Sequence, residues 1–364
     1  MTRVFDGLRI FAAGIKSAGA SIGARFRDPK IGVSAAIVGA VALAIAVSPA
    51  PSPVPASDDG LWYDADGRLV IESRFAPSGG PLALRAMHKP KGVTVVPGSA
   101  GKLYKDFRSI GYKLEDVMAG TENVPRVFVK MMPRDLRRLD SIETRKEVFI
   151  KTMLPLILRV NEELRLTRTR ITELNARLKE GGVLTRAEGQ WLAAQYERHD
   201  VKPGNIRLLL RRVDVIPPSL ALAQAAEESG WGTSRFAQEG RALFGQRTHA
   251  EGTGLIPEAH AEEAGIKVKS FDELLEAVRS YARNLNTHNA YADFRLMRAK
   301  MREQARDVSG FNSMRLVETL ESYSSRGRDY INSIKTIIRV NNLRRLDGAR
   351  LSENVPTQVT RLGA

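Results

Sequence analysis

Hydrophobic residues between positions 142 and 179 recur at alternating spacings of three and four. The members of this stripe are Ile157, Val160, Leu164, Ile171, Leu174 and Leu178, with Thr167 in the one slot that lacks an apolar residue. The spacing is typical of one long amphipathic helix, because 3.6 residues make a turn. Gly181 and Gly182 end the pattern. Thr185 is placed to cap a second helix over 185–198.

The later part of the chain also predicts helices. One begins at Pro217-Pro218, where proline is tolerated because the N–H groups of a first turn have no helical partner. Further helices are expected over 270–287, 291–306 and 313–340, and we expect the basic, polar tail 341–364 to be frayed. The predicted fold class is therefore mainly α.

Short β-like runs precede these helices. They cover residues 69–71, 93–96 and 127–129 and are separated by glycine and proline, which is typical of strands divided by turns. We therefore expect a loop-rich segment with a small sheet over 61–135. Residues 49–60 in front of it are proline-rich and predict an extended linker.

An apolar run near the start of the chain predicts a membrane anchor. Residues Ile31–Val47 carry no charge, and their number is about the minimum needed to cross a bilayer. The basic residues before the run favour a cytoplasmic N-terminus, so the remainder of the chain would face outward. We expect an uncleaved transmembrane segment over 31–48. A cleaved signal followed by a soluble exported protein is the alternative, because the small residues of SPAPS suit a signal peptidase.

The composition narrows the chemistry that the chain can perform. Its 364 residues include no cysteine, which excludes disulfides, thiol catalysis and Cys-ligated zinc. The formal net charge of +15 favours an anionic partner such as a membrane surface or an acidic envelope polymer. No nucleic-acid-binding motif accompanies the charge, so no nucleic-acid partner is expected. His249 and His260 are too isolated to suggest a metal site, and no cofactor is expected.

Two acidic residues at the end of an alanine-rich helix are the main candidates for chemistry. Glu227 and Glu228 fall on its last turn, directly before Gly230 and Trp231. A carboxyl group buried there would have a raised pKa, as the proton donor in glycosidic bond cleavage requires. Helical phase alone does not choose between the two glutamates. Trp231 is placed either to stack on a sugar ring or to fill the core.

Three sequence elements carry a family resemblance. The run 221–246, ALAQAAEESGWGTSRFAQEGRALFGQ, resembles the core motif of bacterial peptidoglycan glucosaminidases of the lysozyme-like superfamily, and more closely their Bax-like branch. Residues 281–291, YARNLNTHNAY, resemble the signature YxxNLNxHxxY of that branch. Residues 323–330, YSSRGRDY, are similar to its tyrosine-containing cleft element. The likeness extends upstream to LPLILRVNEE, at 154–163, and spans about 120–340.

The resemblance implies an activity and a set of site residues. It implies hydrolysis of the β-1,4 bond after N-acetylglucosamine in glycan strands, in a lysozyme-like α-helical domain with a reduced β-lobe. Glu228, the residue before Ser-Gly-Trp-Gly, would be the catalytic acid. Either Tyr323 or Tyr330 would hold the acetamido group of the substrate. The expected substrate-binding residues are Gln224, Trp231, Phe244, Asn284, Asn286 and His288. For the last three, capping or turn stabilisation is an equal alternative.

The second carboxylate of the site is less well defined by the sequence. The β-lobe that supplies it in relatives is short here, and its acids are Glu251, Glu258, Glu262 and Glu263. Counting back from the strand end at 267–271 favours Glu258, with Glu262 as the alternative. If all four are surface acids, the family's substrate-assisted route with a single glutamate applies.

The predicted organisation is a membrane-anchored cell-wall enzyme with its catalytic domain in the periplasm. The segments are a basic cytoplasmic stretch over 1–30, the transmembrane anchor over 31–48, the linker over 49–60, the loop-rich segment over 61–135, a helical extension over 136–210, the glucosaminidase domain over 211–340 and the basic tail over 341–364. The expected partners are peptidoglycan glycan strands and the bacterial inner membrane. The alternative function is an envelope scaffold that keeps the fold without turnover.

Overall fold

Helices dominate the computed structural model, which describes residues 92–248, 267–304 and 310–354. The predicted anchor and linker lie outside these residues. No helix among the described residues is long and apolar enough to span a membrane. The α-helices are α1 (Ala100–Ser109), α2 (Leu114–Ala119), α3 (Ile142–Lys179), α4 (Arg186–Arg198), α5 (Ile206–Arg212), α6 (Pro218–Ser229), α7 (Arg235–Glu239), α8 (Leu274–Thr287), α9 (Ala292–Gln304), α10 (Ser313–Val317) and α11 (Arg328–Val340).

The long helix α3 has the bounds that the hydrophobic spacing predicts. The Ser141 hydroxyl caps its first turn by accepting from the Thr144 N–H. Every residue from Val148 to Asn161 is buried, so this half of the helix is surrounded by other elements. The second half is amphipathic, with Ile171 and Leu174 buried. The one helix therefore takes part in two hydrophobic clusters.

Helices α4 and α5 pack on the amphipathic half of α3 and form the smaller cluster. The predicted helix start at Thr185 is confirmed as a capping box, in which Thr185 and Glu188 bond each other's backbone N–H groups. Glu188 also forms ion pairs with Arg170 and Arg177 of α3. The hairpin of α4 and α5 is thus tied to α3 by both apolar packing and charge.

Two small sheets accompany the helices. Strands β1 (Val93–Val95) and β2 (Val127–Val129) pair in parallel, with Val93 opposite Val127. Strands β3 (Arg247–Thr248) and β4 (Lys267–Val268) pair antiparallel and enclose the segment 249–266, which is not described. The strand predictions at 93–96 and 127–129 are confirmed, and the one at 69–71 lies outside the described residues.

Helices α1 and α2 occupy a region that we expected to be rich in loops. Ser99 caps α1 through its hydroxyl, and Ala100, Leu103 and Phe107 form its buried side. This i, i+3, i+7 spacing is a helical stripe, but only ten residues carry it, between glycine-containing segments. Because β-like runs lie on either side of this stripe, we predicted strands and loops for the whole segment.

The segment 313–340 is not the single helix that we predicted. It consists of α10, a 3₁₀ turn over Glu321–Tyr323, and α11. Gly327, with φ +50°, turns the chain before α11 begins. Left-handed backbone of this kind favours glycine and interrupts a helix. The break places Tyr323 and Tyr330 on different elements.

The prediction of a frayed tail is wrong for residues 341–354. A 3₁₀ turn over Leu343–Leu346 packs against α6 and α11, and Leu351 forms a β-bridge with Val124. The buried Asp347 carboxylate accepts from both the N–H and the hydroxyl of Ser219, each at 2.8 Å. Because Pro217 has no capping side chain, Asp347 performs this function at the start of α6.

Candidate active site

The candidate site is built around the turn that ends helix α6. Gly230, Trp231 and Gly232 all have left-handed backbone, with φ of +56°, +58° and +78°. A tryptophan rarely adopts this conformation, so the surrounding contacts must stabilise it. The Trp231 N–H donates to the Ala226 carbonyl at 2.9 Å, and the Gly232 N–H donates to the Ser229 hydroxyl at 2.8 Å. These bonds fix the end of the helix, where Glu227 and Glu228 lie.

The Glu228 carboxylate faces the backbone of the Leu-Phe-Gly turn, residues 243–245. A Cβ atom built on Gly245 would lie 2.8 Å from Glu228 Oε2, and Gly245 has φ +61°. Only glycine therefore fits at this position. Part of the Glu228 side chain is covered by this backbone, which removes water from one side of the carboxyl group.

A chain of hydrogen bonds reaches Glu228 from the protein interior. The Tyr281 hydroxyl donates to Gln224 Oε1 at 2.7 Å, and Gln224 Nε2 donates to the Tyr330 oxygen at 2.8 Å. The Tyr330 hydroxyl donates to the Glu228 carboxylate. Since the amide of Gln224 occupies an acceptor position on Tyr330, the Tyr330 proton remains for Glu228. The chain holds one side of the carboxyl group in a fixed orientation.

The environment of Glu228 changes its acidity. Burial has the largest effect on the pKa of Glu228 and raises it, as does the charge of Glu227, while the Tyr330 hydrogen bond and the Arg326 charge lower it. The balance of these effects raises the pKa of Glu228 to about 7. Burial dominates because the charged form loses hydration that one hydroxyl does not replace. At neutral pH this carboxyl group is available in both the protonated and the ionised form.

The neighbouring Glu227 has a different environment. Its Oε1 pairs with Arg326 Nη1 at 2.6 Å, and its Oε2 accepts from the Ser333 hydroxyl at 2.8 Å. Both carboxylate oxygens are therefore used by groups on or before α11. Helical phase left the two glutamates equivalent, and these tertiary contacts distinguish them.

Aromatic rings form a row that ends beside Glu228. Centroids are 5.7 Å apart between His288 and Tyr291, 5.9 Å between Tyr291 and Tyr323, and 5.5 Å between Tyr323 and the stacked Tyr330. His288 is exposed, Tyr323 is half-buried and Tyr330 is only 1% exposed. The row thus runs from the surface to the buried hydroxyl that contacts the carboxyl group. Within this row, His288 and Tyr323 are the two rings with accessible surface, so they are the ones that a substrate can reach.

Several predicted substrate-binding residues are inside the protein instead. Gln224 is 0% exposed, and both atoms of its amide group are bonded to tyrosines. Phe244 is 2% exposed; its ring stacks on Tyr281 at 4.0 Å and its carbonyl accepts from the Tyr323 hydroxyl. Full burial leaves no surface for a sugar, so both residues support the site from behind.

Asn286 and Trp231 also differ from the expectation. Asn286 is 1% exposed, donates to the Asp214 carbonyl and accepts from Arg298, which places it in a buried polar network. The Trp231 ring packs edge-on against Phe149 and lies under the Lys146 ammonium, on the side facing α3. Of the two alternatives for Trp231, these contacts favour filling the core.

Asn284 and His288 remain near the aromatic row. Asn284 is half-buried and hydrogen-bonds the Tyr291 side chain. His288 is exposed, and its Nδ1 accepts from the Ala290 N–H, which is the turn-stabilising alternative. That bond leaves the Nε2 atom of the exposed ring directed away from the turn.

Four further residues belong to the site and were not predicted from the sequence: Tyr281, Tyr291, Gly245 and Arg326. The signature at 281–291 begins with Tyr281 and ends with Tyr291, so the motif itself contained the information needed to predict both residues. Arg326 gave no signal, since its partner Glu227 is 99 residues away in sequence.

Neither the second carboxylate nor a metal is identified among the described residues. Glu258 and its alternatives Glu251, Glu262 and Glu263 all lie within 249–266, outside the described residues. Within the described ranges, no group of three or more His, Asp or Glu side chains is arranged to hold a metal ion. The described site therefore consists of one carboxyl group of raised pKa, its tyrosine support and the aromatic row.

The chain is similar to proteins of a known family. The family model for mannosyl-glycoprotein endo-beta-N-acetylglucosaminidase matches residues 205–343. The chain is 33% identical to Protein bax of Escherichia coli strain K12 over 214 residues, which cover 54% of this chain and 70% of that protein. It is also similar to the solved catalytic domain of the autolysin Auto from Listeria monocytogenes, at 16% identity and a TM-score of 0.33, covering 58% of this chain and 93% of that one. The chain belongs to the Bax-like glucosaminidase-domain proteins, a family of glycoside hydrolase-like enzymes.

Proposed function

We propose that this protein is an endo-β-N-acetylglucosaminidase that cleaves the glycan strands of peptidoglycan, with Glu228 as the general acid. The observation that supports this most directly is the burial of Glu228 beside Tyr330, which gives a carboxyl group with a pKa of about 7. A general acid must hold its proton at the working pH and release it as the bond to the leaving oxygen breaks. Glu228 meets both requirements near neutral pH.

In the first step, Glu228 donates its proton to the glycosidic oxygen while the bond from that oxygen to the anomeric carbon breaks. The leaving sugar departs as an alcohol, and Glu228 becomes a carboxylate. Tyr330 stabilises this carboxylate by hydrogen bonding, as its effect on the Glu228 pKa indicates. The charge on Glu227 remains neutralised by Arg326 during this step.

The positive charge that develops on the sugar requires a second group. One route uses a carboxylate, Glu258 or its neighbour Glu262, to activate water from the opposite face. The other uses the acetamido oxygen of the substrate itself, which forms a transient ring that water then opens. We favour the substrate-assisted route, since the described part of the site provides a tyrosine suited to that group.

Tyr323 is the better candidate to hold the acetamido group. Its hydroxyl donates to the Phe244 carbonyl at 3.0 Å, which leaves its oxygen as an acceptor for the acetamido N–H. Tyr330 is fully buried and its hydroxyl already bonds Gln224 and Glu228. We therefore assign substrate contact to Tyr323 and support of Glu228 to Tyr330.

We also propose that the protein acts outside the inner membrane, anchored through residues 31–48. The support is the uncharged run Ile31–Val47 and the basic residues that precede it. Fractionation of cells that carry the tagged chain tests this: a membrane-bound, full-length protein agrees with the anchor. A shorter soluble form would identify a cleaved signal instead.

Incubation of the purified full-length protein with peptidoglycan tests the catalytic proposal. The wild-type chain should release reducing ends, and Glu228→Gln should reduce the rate at least about 1,000-fold, because the amide has no proton to give. Glu173→Gln, an exposed acid on α3, is the matched control and should leave the rate unchanged. Mass spectrometry should find N-acetylglucosamine at the new reducing ends. Muramic acid there, or full activity of Glu228→Gln, would contradict the proposal.

A further inference from the structure

Three arginines from two separate segments surround a surface cavity beside the turn Gly230–Gly232 that ends α6. The cavity has a volume of about 510 Å³. Its lining residues are Arg134, Arg137, Thr233, Arg235, Gln238 and Glu239. One wall follows β2, and the other begins at Thr233, five residues after Glu228 in the chain. The volume lies within the range of sites that bind small molecules or parts of polymers.

The walls of this arginine cavity are held in fixed positions. Gln238 Nε2 donates to the Pro133 carbonyl at 3.3 Å and joins the two walls. Asp135, between the two arginines of the first wall, accepts from the Ala100 N–H at 2.8 Å. The second wall is α7, which Ser234 caps through its hydroxyl. The guanidinium groups therefore extend from backbone whose position does not depend on a ligand.

The charge of the cavity is not balanced by its own residues. Glu239 is its one lining acid, and it pairs with Arg235 at 3.6 Å. Arg134 and Arg137 are exposed, and neither forms an ion pair with another described residue. Two net positive charges thus face a concave surface. Guanidinium groups bind carboxylates through paired, charge-assisted hydrogen bonds, which a planar carboxylate matches better than a neutral sugar does.

We propose that the arginine cavity binds free carboxylate groups of the peptides attached to the glycan strand. This inference rests on the proposed function, because it takes peptidoglycan as the substrate. The peptides branch from the sugar next to each N-acetylglucosamine, so a carboxylate subsite close to the cleavage turn would select strands that still carry peptides. The cavity would then contribute to binding and not to bond cleavage.

Binding of full-length Glu228→Gln protein to insoluble peptidoglycan tests the proposal without turnover. Adding Arg134→Glu and Arg137→Glu should raise the Kd for intact peptidoglycan roughly tenfold, since two charge-assisted contacts become repulsive. The matched control adds Lys202→Glu and Arg207→Glu, two exposed basic residues near the α4–α5 connection. The control makes the same change in net charge and should leave the Kd unchanged. Circular dichroism confirms that each variant is folded.

A second substrate identifies the ligand. An amidase that removes the peptides leaves a carboxylate on the sugar at each cut, so these carboxylates are converted to methyl amides to give the stripped strands. On these stripped strands the cavity variant and its control should bind with equal Kd. A tenfold difference that persists on stripped strands would overturn the proposal. So would a difference that disappears only after removal of phosphate polymers, or equal weakening in both variants. Because Kd is measured on an inactive protein, failure here is distinct from failure to detect hydrolysis.

Discussion

Gly245 lies so close to Glu228 that a Cβ atom at this position would be 2.8 Å from the Oε2 atom of the carboxyl group. The glycine therefore has two functions: it adopts φ +61°, and it brings uncharged backbone onto the acid. This contact links the turn after α7 to the end of α6. It contributes to the burial that raises the Glu228 pKa.

Replacing Gly245 with alanine should disturb both the backbone conformation and the contact with Glu228, and a control at Gly120 separates the two effects. We expect kcat to fall at least about 100-fold, because the added methyl group displaces the carboxyl group, with a stability loss of about 1–2 kcal/mol from backbone strain. Gly120→Ala is the control, since Gly120 has φ +75° and an added Cβ atom there would meet nothing within 4 Å. Urea unfolding and reducing-end assays should show similar stability losses and very different kcat values. Equal activities would show that the contact does not matter for catalysis.

The alkaline side of the pH–rate profile should report the Glu228 pKa. Since a general acid works only when protonated, kcat/KM should be constant below pH 7 and fall tenfold per unit well above it. The Arg326 charge lowers the Glu228 pKa, so Arg326→Ala should move this fall to higher pH. Arg328→Ala removes another exposed charge, which pairs with Glu318, and should not move the fall in kcat/KM. A shift to lower pH in Arg326→Ala would contradict the assignment.

Glu228 should also make the protein less stable in alkaline solution. Its pKa is raised from 4.5 to about 7 on folding, so the folded state binds the proton more tightly than the unfolded state. The free energy of unfolding therefore falls as the pH rises from 4.5 to 7 and is level above that range. Glu228→Gln mimics the protonated form and should be more stable than the wild type at pH 8 by up to about 3 kcal/mol. The two should be equally stable at pH 4, as urea unfolding at both values can establish.

How far the sequence predicts the fold depends on the length of each pattern. Helices α3 and α4 were predicted with nearly correct ends, since α3 carries a long stripe and Thr185 caps α4. Helix α1 was missed because its stripe covers ten residues between β-like runs. The break at Gly327 was missed because one glycine within a periodic segment does not reveal its φ angle. Tail packing depends on Asp347 reaching Ser219, a contact across 128 residues.

The site was predictable where a motif is contiguous and not where contacts are distant. The run 221–246 located Glu228 and the turn after it, and the resemblance selected that glutamate over Glu227. What separates the two acids physically is Arg326, about a hundred residues later. Gln224 was expected to bind substrate, but its side chain is fully buried. Its burial behind Tyr330 depends on α8 and α11, which helical phase cannot show.

Asp347 should stabilise the whole domain through the start of α6. It accepts two hydrogen bonds from Ser219, and burial raises its pKa to about 6. Asp347→Ala should lower the free energy of unfolding by about 2–4 kcal/mol, because a buried N–H and hydroxyl lose their partner at a helix N-terminus. Asp347→Asn keeps an acceptor and should cost less. Urea titrations at pH 8 can rank the three proteins, and equal midpoints would show that the contact is unimportant.

The hydrogen-bond chain behind Glu228 leads to a graded prediction. The Tyr330 hydrogen bond lowers the Glu228 pKa, so Tyr330→Phe should move the fall in kcat/KM to higher pH. The maximal kcat should also fall about 10–100-fold, because the carboxylate formed in the reaction loses its donor. Tyr281→Phe removes the bond at the far end of the chain, where the Tyr281 hydroxyl donates to Gln224. Tyr281→Phe should therefore also move the fall in kcat/KM to higher pH, but by less than Tyr330→Phe does.

The comparison of these two variants distinguishes orientation from simple packing. Both tyrosines are almost fully buried, and each substitution deletes one hydroxyl, so the two losses of stability should be similar. If the chain orients Glu228, the pH shift and the loss of kcat must decrease from Tyr330 to Tyr281, while KM stays nearly constant. Equal effects on kcat at equal stability would mean that the two hydroxyls contribute only to packing of the core and do not orient Glu228. In that case the raised pKa of Glu228 would depend on burial alone.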